Sequence, residues 1–359
     1  MRQVVVLGAG MAGMACARSL VRHGHRPLLV APRGDIANRG ETLSFRAAPH
    51  LERLGWLGLL NDETALACQG RYSVWGGAAL RRAPGPGEGA SGWHIDRRRL
   101  ETAMAATLEA DGVERIGGTV RQLSRSPGRL VVELADGPPI AADFVIDCSG
   151  RASISAGAEA PLRRLDRMVA CFRVLPLDED VEAIPATLVE AVAEGWWYMA
   201  LMPGRRVMIG LFSDSDLLPA GLRHDVALWA AMVSRTQAIS LRLSSLSLDP
   251  AMAGDLQFAA ASTVTTSRLV EPGIIRAGDA ASALDPLGAN GLAAALWSGI
   301  QAAESVVGLL AGNDAAALRY EQDFLEGIAA HLTAQAALYG SEHRFSAMPF
   351  WQRRHGSPP

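Results

Sequence analysis

Residues 3–13 read Gln-Val-Val-Val-Leu-Gly-Ala-Gly-Met-Ala-Gly, and this stretch decides the fold. Gln3 to Leu7 is an apolar run without polar alternation, as suits a strand buried on both faces of a parallel sheet. Gly8, Gly10 and Gly13 have the spacing of a dinucleotide-binding turn. Gly8 allows the tight turn, Gly10 lets the backbone approach a pyrophosphate, and Gly13 lets helix and strand pack closely. The helix that opens here, with Met11 and Ala12 in its first turn, offers free N–H groups and a positive dipole end to an anion. Its apolar pattern runs to about Arg22, Gly24 and Pro27 close it, and Leu28 to Ala31 reads as a second strand. The start of the chain is therefore one βαβ unit. The acid that usually holds the ribose at the end of the second strand is missing, since the sequence there is Val30-Ala31-Pro32-Arg33. Either backbone and other side chains hold the ribose, with Arg33 and Asp35 as candidates, or the nucleotide binds less tightly.

The chain has 359 residues, 49% of them apolar, and a formal charge of −3. This excludes a disordered chain and fits two intimately connected domains or one large one, with a sizeable core. The near-neutral balance argues against a nucleic-acid partner, which needs a concentrated basic surface. All 34 basic residues are Arg, so Schiff-base or P-loop chemistry through a lysine amine is excluded. Cys16, Cys68, Cys148 and Cys171 lie far apart, without the spacing of a metal site or redox pair, and read as core residues; no metal is expected. The N-terminus leaves no room for a signal peptide, and the apolar segment 292–311 is interrupted by Ser298, Gln301, Glu304 and Ser305. A buried helix, no membrane and a cytoplasmic location are the expectations.

Further along, 83–92 reads as an exposed Pro/Gly loop and 97–110 as a helix, with strands near 113–123, 129–135 and 143–148. Strand-like runs at 168–177, 196–202, 206–213 and 256–265, with a helix at 224–239, suit a second sheet. After 273 a strand and turn lead into helix to about 341. That turn is the second motif, Arg276-Ala277-Gly278-Asp279 followed by Asp285-Pro286-Leu287-Gly288-Ala289-Asn290-Gly291. A strand ending in Gly-Asp and a Pro/Gly loop opening a helix suit a flavin. Asp279 can accept from the ribityl chain, while Pro286, Gly288, Asn290 and Gly291 bring backbone N–H groups and a helix N-terminus to the pyrimidine edge.

The two motifs together resemble those of the FAD-dependent monooxygenase superfamily, which includes aromatic hydroxylases, flavin-dependent halogenases and geranylgeranyl reductase-like enzymes. Asp147-Cys148-Ser149-Gly150-Arg151-Ala152-Ser153 resembles its Asp-Ala-Ser/Thr-Gly-x-x-Ser strand end. Ile95-Asp96-Arg97-Arg98-Arg99-Leu100 is similar to its Arg-containing helix start, which implies that Arg97 approaches the FAD. Arg39-Gly40-Glu41-Thr42-Leu43, followed by Leu51 and Leu54-Gly55, resembles the Gly-Glu-x-x-x-Pro region of halogenases and their hydroxylase relatives, which assigns Arg39 and Glu41 to a cofactor loop. Gly195-Trp196-Trp197-Tyr198 resembles, without matching, the halogenase Trp-x-Trp-x-Ile-Pro signature. With no lysine to relay hypohalous acid, as the family's halogenases do, this speaks against halogenation. Trp196, Trp197 and Tyr198 are the candidates for an aromatic wall between flavin and substrate. His50 is a further pocket candidate; His94 lies in another promising segment, and no catalytic base is named. The tail Phe350-Trp351-Gln352-Arg353-Arg354 is similar to that of flavoprotein maturases of tryptophylquinone-containing amine oxidases, the glycine oxidase maturase type.

The resemblance implies an α/β fold: a doubly wound FAD-binding domain over about 1–70, 93–165 and 266–325, a β-rich substrate domain over 71–92 and 166–265, and C-terminal helices over 326–359. It implies a monooxygenase that hydroxylates an electron-rich aromatic ring through a flavin C4a-hydroperoxide. The substrate is a peptidyl tryptophan on an amine oxidase or dehydrogenase subunit or a free aromatic metabolite. An isoprenoid reductase and a non-catalytic flavin-bound assembly factor stay open. NAD(P)H reduces the flavin directly or through a separate flavin reductase.

Overall fold

The computed structural model describes residues 2–34, 40–82, 92–157, 160–252 and 256–356. Asp35, Arg39 and the loop residues 83–91 lie outside the described residues. Among those described, the α-helices are α1 (Met11–Arg22), α2 (Ala48–Leu54), α3 (Arg97–Ala110), α4 (Val226–Ser234), α5 (Ala238–Ser245), α6 (Gly291–Leu310), α7 (Ala315–Gly340) and α8 (Pro349–His355).

Val4–Leu7 is buried throughout and pairs in parallel with Leu28–Ala31 on one side and Phe144–Asp147 on the other. Glu114–Gly117 and Ile274–Arg276 extend the parallel set, and Val270–Glu271 adds an antiparallel edge to this six-stranded sheet. Side-chain alternation splits the central strand between two cores. Val4 and Val6 join the helical core of α1, α3 and α6, whereas Val5 and Leu7 pack on the three-stranded meander Val120–Ser126, Arg129–Leu134 and Ile140–Ala142. A seven-stranded sheet runs in the order Gln257–Ala260, Met168–Pro176, Arg206–Asp214, Gly195–Met202, Ala186–Val192, Gly70–Val74 and Arg81–Arg82. One face is covered by α4 and α5; the other meets the cavity described below and the C-terminal aromatics Tyr339, Phe350 and Trp351.

The first helix, the second strand and α3 have the bounds that the sequence indicates; the first strand begins one residue later, at Val4, and α6 one residue earlier, at Gly291. The run 113–123 is two strands, because the chain turns at Gly117-Gly118 and leaves the parallel sheet for the meander. The expected helix 224–239 is two. Asp225 caps α4 by accepting from Leu228 N, and buried Glu190 accepts from the backbone N–H groups of Gln237, Ala238 and Ile239 at the start of α5. Residues 256–265 divide likewise between two sheets, as Gln257–Ala260 and Val264–Thr265. Strand Ala186–Val192, unassigned from sequence, carries Ala, Thr and Glu where apolar branched residues signal a strand. Among the described helices α6 alone is long and apolar enough to cross a membrane; it packs between α1 and α7, with Ser298 and Ser305 fully buried.

Candidate active site

The three glycines of the first turn do different work. A Cβ on Gly8 would lie 2.2 Å from Cys148 O, and one on Gly13 only 1.8 Å from Gly8 O, so both positions are closed by backbone. Gly8 also has φ +100°, a conformation that favours glycine. At Gly10 a Cβ would meet nothing nearer than the Arg97 guanidinium at 3.8 Å, and Gly10, Met11 and Ala12 line a cavity of about 300 Å³. The N-cap of α1 is Gly10 itself, which has no side chain to accept from the first turn. An open backbone cradle at a helix N-terminus with a glycine N-cap fits a pyrophosphate.

Strand 40–43 pairs antiparallel with Trp93–Asp96 and sets Glu41 opposite Ile95, at the foot of α3. Asp96 caps that helix through Arg99 N at 3.1 Å. Arg97, the first helical residue, donates from Nη1 to Glu41 Oε1 at 2.7 Å and from Nε to Glu101 Oε1 at 2.9 Å. Burial works against the Arg97 charge, but the two carboxylates outweigh it and hold the guanidinium strongly protonated. Glu101, 2% exposed, is pushed up by burial against the pull of Arg97 and of the Met11 backbone N–H. Glu101 is a site residue that no motif marks; its i+4 spacing from Arg97 on a helix is the one sequence signal for it.

The second motif reaches the same place. Gly278, at φ +61°, brings its backbone so close to α1 that a Cβ would lie 2.7 Å from Ala12 Cβ, and its N–H donates to Ser298 Oγ of α6 at 2.9 Å. Asp279 lies 3.7 Å from Arg151 and lines the cavity with Pro286 and Gly291. Asn290 and Gly291 also line a second cavity of about 650 Å³, formed with α7. Gly288 is in neither lining and lies against the His331 ring.

The far wall of the first cavity is aromatic, and strand parity selects its members. Trp196 and Tyr198 face the cavity, with Trp196 stacked on Phe212 at 3.9 Å between ring centroids. Trp197, expected in this wall, points to the opposite face and packs on Trp229 of α4, because successive side chains on a strand alternate. Tyr198 OH lies 2.6 Å from Thr42 Oγ1, and burial lifts its phenol to about 12. Asp285 and Tyr339 complete this end: Tyr339 OH lies 2.9 Å from Asp285 Oδ2, and Trp196 Nε1 donates to Tyr339 OH at 3.0 Å. Asp285 stands beside Pro286 in the motif already quoted, but nothing in sequence links it to Tyr339.

The remaining candidates are elsewhere. His50 lines the second cavity, with burial first and Arg53 second lowering its imidazole. It lies on α2, which packs against α6 outside the aromatic wall. His94 is buried between strands, 2.8 Å from Thr187 Oγ1, and burial lowers it to about 4. Arg33 is exposed, its stem against Gly117, and is not in the lining of either cavity.

The open cradle at Gly10, the Arg97 clamp and the Gly-Asp turn make a donor set that fits FAD. The comparisons agree. The family profile described as tryptophan halogenase matches residues 66–357. A protein of Marinomonas mediterranea described as an FAD-dependent oxidoreductase, LodB, is 27% identical over 98% of this chain and 96% of its own length. The solved structure of the peptidyl tryptophan dihydroxylase QhpG, essential for tryptophylquinone cofactor biogenesis, is 27% identical and superposes with TM-score 0.82 over 99% of this chain and 79% of QhpG. The myxobacterial chondrochloren halogenase CndH, 18% identical, shares the fold with TM-score 0.86 over 99% of this chain and 86% of its own.

Proposed function

This chain belongs to the tryptophan halogenase family, and from that membership we propose that it is an FAD-dependent monooxygenase that hydroxylates an aromatic ring. The substrate in this proposal is a tryptophan side chain on a partner polypeptide destined to carry a quinone cofactor. The observation that carries the reading is a single cavity joining the Gly10 cradle and Arg97 to the Trp196, Phe212 and Tyr198 wall. When bound and reduced, FAD supplies dioxygen with two electrons and delivers an electrophilic oxygen atom. Arg97, braced by Glu41 and Glu101, would hold the cofactor. The stacked Trp196 and Phe212 rings would exclude water and orient a flat, electron-rich substrate. The likeness to QhpG supports a peptidyl tryptophan, and the absence of lysine supports hydroxylation over halogenation.

The test supplies FAD-loaded protein with isotopically labelled dioxygen and chloride, and with NADPH alone or NADPH plus a flavin reductase. A tryptophan-bearing partner polypeptide, free tryptophan and a simple phenol are offered in parallel. The expected result is labelled oxygen on the polypeptide tryptophan and no chlorinated product. Turnover of the free compounds alone would replace the protein substrate with a small metabolite, and chlorination would overturn the hydroxylase reading. The two donor arms decide how the flavin is reduced.

A further inference from the structure

Among the described residues three acidic side chains line the cavity, Glu41, Asp279 and Asp285. Glu41 is paired with Arg97, and Asp279 faces Arg151. Asp285, 3% exposed, is held by neutral donors: Leu287 N on Oδ1 at 2.8 Å, with Gln335 Nε2 and Tyr339 OH both on Oδ2 at 2.9 Å. A carboxylate offers about four acceptor positions, so three bonds leave Oδ1 with one to spare. The direction of the neighbouring hydrogen bonds is fixed. Indole N–H only donates, so Trp196 Nε1 gives its proton to the Tyr339 oxygen, and the single Tyr339 proton goes to Asp285.

From this geometry we propose that Asp285 is the catalytic base that takes the ring proton from the hydroxylated carbon. The proposal rests on the hydroxylase reading above. Adding an electrophilic hydroxyl to an aromatic carbon forms a C–O bond and leaves that carbon with both oxygen and hydrogen. The C–H bond must then break, its electron pair returning to the ring and its proton going to a base. Reduced flavin and dioxygen supply the oxygen and the electrons; Asp285 takes the proton and releases it to water when product departs. Burial lifts the carboxyl to about 6, with the Leu287 N–H, Tyr339 and the Arg354 charge on α8 opposing and Asp166 adding to the rise. It is thus mostly ionised at neutral pH and close to the pKa that suits a base there. The C-terminal tail gains a purpose. α8 fixes Tyr339 through His355 Nε2 on its carbonyl at 3.0 Å, the Phe350 and Trp351 rings edge-on, and the Arg354 guanidinium 5.3 Å over its ring.

The test compares wild type with Asp285→Asn and Tyr339→Phe, each checked first for bound FAD and thermal stability. Expected for Asp285→Asn is unchanged FAD binding and a kcat for hydroxylation lower by about 100-fold or more. With a ring-deuterated substrate, a primary isotope effect absent from wild type should appear. The wild-type rate should rise with pH through about 6, a limb the Asn variant lacks. A readout independent of turnover is the tryptophan fluorescence of the FAD-free protein. A component titrating near the same pH should be present in wild type, missing from Asp285→Asn, and shifted to higher pH in Tyr339→Phe, which loses a donor to the carboxylate. If wild type hydroxylates nothing, the hydroxylase reading fails. If it hydroxylates and Asp285→Asn matches it within threefold with the same pH profile, this proposal alone fails. Should Asp285→Asn not fold, an unchanged fluorescence midpoint and pH profile in Tyr339→Phe overturn the proposal.

Discussion

Compare the two ends of the cavity. At the Gly10 end the fit is made by backbone against backbone: Gly8 against Cys148, Gly13 against Gly8, Gly299 of α6 against Ala12 O at 2.2 Å from its would-be Cβ. At the aromatic end it is made by side chains delivered from distant elements, with Trp196, Phe212, Asp285 and Tyr339 arriving from two strands, a loop and α7. A backbone fit tolerates almost no change and dictates residue type. A side-chain fit depends on which face of a strand or helix turns inward, and residue type alone does not say.

The largest expected effect follows at the first end. Gly13→Val places methyl carbons where Gly8 O already lies and should cost more than about 4 kcal/mol, with no FAD retained. Gly10→Ala has room, so its melting temperature should stay near that of wild type while FAD affinity falls, the new methyl projecting into the cradle. Melting curves with and without FAD measure both. Equal stability losses in the two variants would break the distinction between a packing glycine and a cradle glycine.

This difference also explains how much of the molecule was legible. The βαβ unit and the second motif were readable because short segments with special backbone needs carry them, whereas the pairing of Glu41 with Arg97 comes from strand 40–43 lying against Trp93–Asp96 at the start of α3. Strand 186–192 was not, since its identity comes from pairing with Gly195–Met202 and from Glu190 capping α5. The link from Trp196 through Tyr339 to Asp285 joins residues 143 and 54 positions apart, and only packing brings them together.

Arg97→Met should have the next largest effect, because it sits where backbone fit gives way to charge. It leaves Glu41 and buried Glu101 facing each other without a cation. Losing one partner of a buried pair costs about 3–5 kcal/mol, and the quarter exposure of Arg97 reduces this to roughly 2. FAD affinity should fall about 10- to 100-fold if one or two charge-assisted hydrogen bonds to the cofactor are lost. The pH dependence has a definite sign. Burial already raises the Glu101 carboxyl, and without Arg97 it rises further above its unfolded value. The destabilisation is therefore present above the folded pKa and relieved as pH falls through it. The stability gap to wild type should narrow between pH 8 and pH 5; a gap that widens on acidification would show that the cation is not what holds these acids.

The smallest effect tests parity at the aromatic end, where neighbouring residues of the same type should behave oppositely. Trp197→Phe trims a ring packed on Trp229 behind the sheet, and should cost about 1–2 kcal/mol of stability with turnover unchanged. Trp196→Phe keeps a ring to stack on Phe212 but removes the N–H that Tyr339 OH accepts. FAD binding should be retained while kcat falls and the pH limb set by Asp285 moves, since Tyr339 loses the donor that polarises it. If Trp197→Phe impaired turnover as much as Trp196→Phe, the cavity would not be selecting one face of the strand, and the contrast between a backbone-made end and a side-chain-made end would lose its clearest support.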